Sequence, residues 1–310
     1  EINIGGGPWP GPPSYFSPYH ISNLPDGPEG EYIADRLTDE AIKFIDNSKN
    51  QPFFLNLWQY AIHAPYQGKV TYREYFEKKK DPRGAQENPV MAAMIKSMDE
   101  SLGRVLDKLE ADGLMHNTII IFTSDNGGNM YDHIGGDGLF LAEGRTPTNN
   151  APLRSGKATV YEGGIRVPMV VKWPGVGKPG SKCDTPVIIE DFFPSILEMA
   201  GVGEVNQIGG KLDGVSFVPL VKGSESYPKD RPLFWHYPHY SNQGGEPGSA
   251  IREGDWKLIR FYDKPRQELF HLRDDPGEQK NLLERHRDVA SRMADLLSTH
   301  RSQAHSATRQ

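Results

Sequence analysis

Two textures of apolar and polar positions alternate along the chain. Between Tyr32 and Ile45, the residues Ile33, Leu37, Ala41, Phe44 and Ile45 recur at helical spacing and predict an amphipathic helix. The run "PFFLNLWQY" (52–60) follows, short, mostly apolar and bounded by proline, as a strand buried on both faces would be. The step then repeats. Met91, Met94, Ile95, Met98, Leu102, Val105, Leu106 and Leu109 form one stripe of a long helix ending near Gly113, and "NTIIIFTS" (117–124) is the next buried strand. "VPMVVKWPG" (167–175) predicts a third such strand, and "IEDFFPSILEMAG" (189–201) a helix closed by glycine. Helices alternating with wholly apolar strands predict an α/β sheet covered on both faces.

From about Arg231 the texture changes. "PLFWHYPHY", "SAIREGDWKLIRFYD" and "QELFHLRDDPGE" read as short strands joined by polar turns, before a final amphipathic helix at roughly 284–298. The expected organisation is an irregular segment at 1–28, an α/β domain at 29–228, a small C-terminal antiparallel sheet with one helix at 229–300, and a frayed tail at 301–310.

Composition narrows the function classes. A net charge of −6 lacks the basic excess that nucleic-acid binding requires, and no apolar run approaches a membrane span. The 33 glycines and 25 prolines imply long, shaped loops, where sites are built. A single cysteine, Cys183, excludes an intrachain disulfide framework and a CxxC site.

Three loops at strand ends hold candidate chemistry, as ligands in open α/β sheets bind beyond the carboxyl ends of strands. In "FTSDNGG" (122–128), Asp125 and Asn126 supply hard oxygens suited to Ca²⁺ or Mg²⁺, or else an Asx turn caps the strand. In "LRSGKATVYEGGIRV" (153–167), Lys157 sits in a Gly-bounded loop, either as a cation for an anionic group or as a solvated surface charge. In "QYAIHAP" (59–65), His63 is a proton donor or anion ligand, or a loop histidine bonded to backbone.

In this order, with "DWKLIRF" and "ELFHLRDDPGEQKNL" after them, these motifs resemble the formylglycine-dependent sulfatases of the alkaline-phosphatase-like superfamily, especially the arylsulfatase A and N-acetylgalactosamine-6-sulfatase branch. The resemblance implies a mixed sheet sandwiched between helices, with Asp125 and Asn126 as ligands of a divalent cation, usually calcium and less commonly magnesium. It implies that Lys157 and His63 contact the sulfate group and its bridging oxygen, and that a hydrated formylglycine attacks sulfur. The aromatic, histidine-rich run 234–256, with His236, His239 and Arg252, is a candidate rim for a sulfated sugar, and "YDHIGGDGLF" (131–140) a further bordering loop. Export to a periplasm, lysosome or exterior is a family-level expectation.

The sequence also departs from the family. No paired-aspartate strand and no Cys-x-Pro-x-Arg signature occur, and Cys183 in "SKCDTPV" lacks that spacing. The expectation is therefore a C-terminal part of a longer enzyme, inert alone, whose missing N-terminal segment supplies the nucleophile and several strands. A phosphodiester or phosphonate hydrolase, or a non-catalytic anion-binding remnant, are the competing readings.

Overall fold

The computed structural model describes residues 14–130, 146–202, 212–241 and 243–307, and the chain divides into two compact units. The first comprises residues 1–117 and 128–150; the second comprises 118–127 and 151–310.

In the first unit, helices α1 (Ile33–Ser48), α2 (Val70–Glu77) and α3 (Pro89–Ala111) surround a core of Ile33, Leu37, Val90 and Met94. Ile33, Leu37, Ala41 and Ile45 of the first predicted stripe and Met91, Met94, Val105 and Leu109 of the second are buried, while Phe44 and Ile95 are exposed. Asn88 caps α3 through its side-chain oxygen, which accepts from Met91 N at 3.0 Å, with Pro89 at the first helical position. Gly113, at φ +67°, turns the chain away after the last turn. The segment expected to be an irregular loop contributes more than a loop does. Tyr15 and Tyr19 are wholly buried, and Phe16 bridges to Tyr32.

The run 52–60 makes no strand pairing among the described residues. Its burial alternates: Phe53 packs edge-on against Phe44 and Gln59 donates to Ser101 Oγ, while Phe54 and Trp58 are 68% and 80% exposed. The expected burial on both faces is therefore corrected to burial on one. Hydrophobic composition sets how much surface wants cover, but a second face is covered only where another layer meets it.

The second unit contains two antiparallel sheets. Strands β1 (Ile120–Thr123) and β2 (Met169–Lys172) pair with Thr123 opposite Met169, and Val170 is 62% exposed. These two expected strands exist, but they too are covered on one side only. The short helix α4 (Glu162–Ile165) precedes β2, and after β2 helix α5 (Phe192–Met199) is anchored by Asp191, whose buried carboxylate accepts from Ile188 N, Val215 N and Tyr227 Oη and pairs with Arg231. The short helix α6 (Val218–Val221) packs near it.

Strands β3 (Leu233–Tyr237), β4 (Gly248–Glu253), β5 (Trp256–Phe261) and β6 (Gln267–His271) form an antiparallel meander in chain order. Alternation gives its two faces different tasks. Ile251, Leu258 and Leu269 pack on helix α7 (Arg287–Ala307), while Ala250, Ile259, Phe261 and Phe270 pack on Val160 and Tyr161. A small sheet with one helix follows, and α7 runs on to Ala307, into the segment the sequence suggested would fray. No helix among the described residues is long and apolar enough to cross a membrane.

Candidate functional site

Strand β1 delivers the Asp-Asn pair on a turn closed by its own bonds. Ser124 Oγ donates to Asn126 O at 2.9 Å, and Asn126 N donates to Asp125 Oδ1 at 2.9 Å. Asn126 Nδ2 donates to Gly127 O at 3.0 Å, so the amide oxygen is the end that Asn126 presents outward from its own turn. Asp125 Oδ1 accepts from the amide of the next residue rather than from the one two residues on, so this bond is not the Asx turn the sequence offered, and the oxygens of Asp125 and Asn126 are hard donors of the kind Ca²⁺ or Mg²⁺ takes. Two oxygens are part of a shell of roughly 6–8. Among the described residues no three His, Cys, Asp or Glu side chains cluster as a metal site.

Lys157 reaches this turn because three glycines let backbone pack on backbone. Gly127 N donates to Gly164 O at 2.9 Å, and Gly163 N donates to Arg154 O at 2.8 Å. A Cβ on Gly127 would lie inside the van der Waals radius of the Gly163 carbonyl oxygen, and one on Gly163 would do the same to the carbonyls of Arg154 and Ser155. Close approach therefore needs glycine at both positions. The Lys157 loop itself is bent by Ser155 and Ala158, which take φ of +62° and +68°. Such left-handed geometry in non-glycine residues persists only where surroundings impose it, and it concentrates at functional loops. Lys157 is half-buried; burial pushes its pKa down, while the nearby Asp125 carboxylate pulls it back. The sequence alternative of a solvated surface lysine does not describe this side chain.

Replacing Gly127 with Ala should force the two loops apart and cost about 1–3 kcal/mol, as overpacking of a close contact does. Urea denaturation of the variant measures this. A midpoint equal to wild type would show that the loops move apart freely.

His63 stands in the first unit, exposed, at the end of the 52–60 segment. Its Nδ1 lies 2.8 Å from Ala64 O, and because a carbonyl only accepts, Nδ1 carries the proton. Nε2 is then an acceptor in the neutral ring and a donor in the imidazolium. The wholly buried Tyr15 holds the loop, with Oη donating to His63 O at 2.6 Å and to Tyr60 O at 3.1 Å. The bland reading, a loop histidine bonded to backbone, describes Nδ1.

The predicted rim is split by the structure. Gly245 packs so closely on Ala158 O that a Cβ there would overlap it, so Gly245 meets the Lys157 loop directly. His239 is exposed and edge-on to Tyr237. His236 Nδ1 lies 2.7 Å from Ser249 Oγ and 3.0 Å from Tyr262 Oη, on the exposed side of β3. Arg252 turns inward instead: Nε donates to Gly254 O at 3.1 Å and Nη1 lies 3.8 Å from Glu162 Oε2. A long side chain on a sheet face follows the charge beneath it, and Glu162 supplies that charge. Residues 131–140, the other suggested border, lie outside the described residues.

Sequence reasoning passed over Glu162, Lys257 and Glu278, which meet beneath the Lys157 loop. One signal was present: Lys257 alternates with Ile259 and Phe261 along β5, and a lysine on such an apolar face has to find a buried partner. Cys183 is exposed.

The α/β fold matches solved sulfatase structures and is alkaline-phosphatase-like. The chain belongs to the sulfatase family, whose model matches residues 9–202, and residues 155–303 match the C-terminal model of N-sulphoglucosamine sulphohydrolase. A sulfatase of Formosa agariphila is 35% identical over 82% of this chain and 46% of its own length. An N-acetylgalactosamine-6-O-sulfatase of Bacteroides thetaiotaomicron is 26% identical over 87% of this chain and 51% of its own. The crystal structure of Ps i-CgsB in complex with k-i-k-neocarrahexaose superposes with a TM-score of 0.72 at 29% identity, covering 89% of this chain and 56% of that one. The chain spans about half the length of these relatives.

Proposed function

We propose that this chain forms part of a sulfatase that hydrolyses sulfate esters of a carbohydrate to the alcohol and inorganic sulfate. The observation that carries the reading is Lys157, half-buried in a strained loop and set against the Asp125 carboxylate, within a chain that belongs to the sulfatase family. Carbohydrate as the substrate class is supported by the relatives: one is an N-acetylgalactosamine-6-O-sulfatase and another structure holds a neocarrahexaose.

Each residue has a proposed role. Asp125 and Asn126 would hold a divalent cation, calcium in preference to magnesium, which when bound supplies positive charge to a sulfuryl oxygen. Lys157, low in solvent and compact, supplies a fixed point charge to the same class of anion. His63, with Nδ1 committed to Ala64 O, offers Nε2–H of its imidazolium to the departing oxygen. His239 and His236 are the proposed sugar contacts, since imidazole edges suit hydroxyl-rich ligands. Arg252 is left to Glu162. The nucleophile, a formylglycine in this family, is proposed to lie outside these 310 residues. Export from the cytoplasm is proposed on the same family ground.

The test is turnover by the full-length protein of sulfated oligosaccharides and 4-nitrophenyl sulfate, set beside bis(4-nitrophenyl) phosphate. Sulfate release with phosphodiester cleavage well below it is the expected result, with the 310-residue chain inert on both. Faster phosphodiester cleavage would transfer the protein to the phosphohydrolase reading, and release of sulfate by the 310 residues alone would mean the nucleophile has been misplaced.

A further inference from the structure

The Lys157 loop is held from below by the C-terminal sheet. Lys257, on β5, is 0% exposed, and its Nζ lies 2.9 Å from both Glu162 Oε1 and Glu278 Oε1, themselves 2% and 0% exposed. Glu278 Oε2 accepts from Glu162 N at 2.7 Å, so the same carboxylate grips both the lysine and the backbone where α4 (Glu162–Ile165) begins. Glu162 Oε2 faces Arg166 and Arg252, each at 3.8 Å. Two carboxylates meet one lysine, with two guanidiniums flanking, so the charge is compensated only as a group.

A second attachment holds the other end of the loop. Arg154 Nη1 donates to Glu278 O at 3.0 Å and lies 3.5 Å from Glu268 Oε2, which also accepts from Tyr161 Oη at 2.8 Å. The Arg154 guanidinium lies 3.9 Å from the centre of the Tyr161 ring. Lys157 is thus suspended between two points, Arg154 and Tyr161–Glu162, both fixed to β5, β6 and the turn at Glu278. Gly163 and Gly164, directly after Glu162, are the residues against which the Asp125 turn packs.

We infer that Lys257, Glu162 and Glu278 form a buried staple through which the C-terminal sheet sets the position of Lys157, making them positioning residues for the anion site. The inference rests on the proposed sulfatase reading for what Lys157 binds, but not for where the loop is held. Buried ion groups cost desolvation and are weak stabilisers compared with apolar packing, so their use beneath a functional loop points to geometry. A lysine with two short contacts on different segments fixes both, whereas an apolar contact would let the segments slide.

The experiment uses Glu278→Gln in the full-length protein, which keeps the side-chain shape while removing one charge. Competitive acylation of Lys157 across pH, read by mass spectrometry, reports the apparent pKa of its amine whether or not any ester is turned over. The expected result is a folded variant whose Lys157 titrates closer to an ordinary lysine, because the loop loosens and the amine gains water. In the turnover arm, KM for 4-nitrophenyl sulfate should rise on the order of tenfold, with a smaller change in kcat. Asp191→Asn, which weakens a buried ion pair elsewhere in the same unit, controls for general loosening and should leave the Lys157 profile in place. If Glu278→Gln does not fold, Glu268→Gln releases Arg154 and Tyr161 and is read in the same way. An unchanged Lys157 titration in the folded variant, or an equal shift in Asp191→Asn, overturns the staple. Absence of sulfate-ester turnover in the wild type overturns the sulfatase reading alone.

Discussion

Lys257→Met is expected to destabilise the protein by about 3–5 kcal/mol, the usual cost of leaving buried carboxylates without their cation. Methionine matches the volume of the stem, so the loss isolates the charge rather than a cavity. What remains is Glu162 beside Glu278, two carboxylates with almost no solvent access. Burial already raises the pKa of Glu278, with Lys257 and the Glu162 amide holding it down. Removing Lys257 leaves burial and the neighbouring carboxylate in command.

The pH dependence follows from the sign. A carboxyl whose pKa is higher in the folded state than in the unfolded one binds more protons when folded. Its contribution to stability is present below the unfolded value, roughly 4.3, and is lost as pH rises through the folded value. In Lys257→Met that folded value moves further up, so the deficit relative to wild type should shrink as pH falls from 7 toward 5. Denaturant midpoints of both proteins across this range measure it. A deficit that does not change with pH would mean that the two carboxylates separate or hydrate once the lysine is gone. Glu278→Gln placed in the Lys257→Met background should recover much of the loss, because it removes the repulsion directly.

The second large effect is on chemistry. Lys157→Met in the full-length protein should lower kcat/KM for a sulfate ester by about 10²–10³, the range seen when one fixed donor to a developing anion is removed. Binding and rate fall together, since the cation serves both the bound ester and its transition state. Lys157→Arg should recover only part of the activity, because a planar fork does not occupy the space of a compact ammonium in a half-buried loop. Burial also lowers the pKa of Lys157, so the alkaline limb of wild-type activity is expected below the ordinary lysine range of about 10.4. Activity that survives Lys157→Met at neutral pH would remove the central residue of the proposal. Activity that is lost with an unchanged alkaline limb in wild type would separate the role of the charge from its titration.

The residues proposed for this chemistry each stand beside a recognisable strand or glycine pair. Asp125 and Asn126 follow an apolar run that could only be a strand, and Lys157 precedes the Gly163–Gly164 pair that the packing needs. Arg252 was misread because a guanidinium on an amphipathic strand looks the same in sequence whether it faces water or a buried glutamate. The run 52–60 was misread for a related reason. Its apolar side chains reveal a wish for cover on two faces, and the cover itself comes from elsewhere in a fold.

Local pattern alone determined α1, α3, α5, the strands β1 to β6 and the glycines that end the helices, since periodicity and backbone permissiveness act over a few residues. Only the tertiary structure decided that Lys257 on β5, Glu162 before the glycine pair and Glu278 in a distant turn share one buried site. Their separations in sequence leave no periodic trace, and a charged residue declares its partner only when folding removes water from around both.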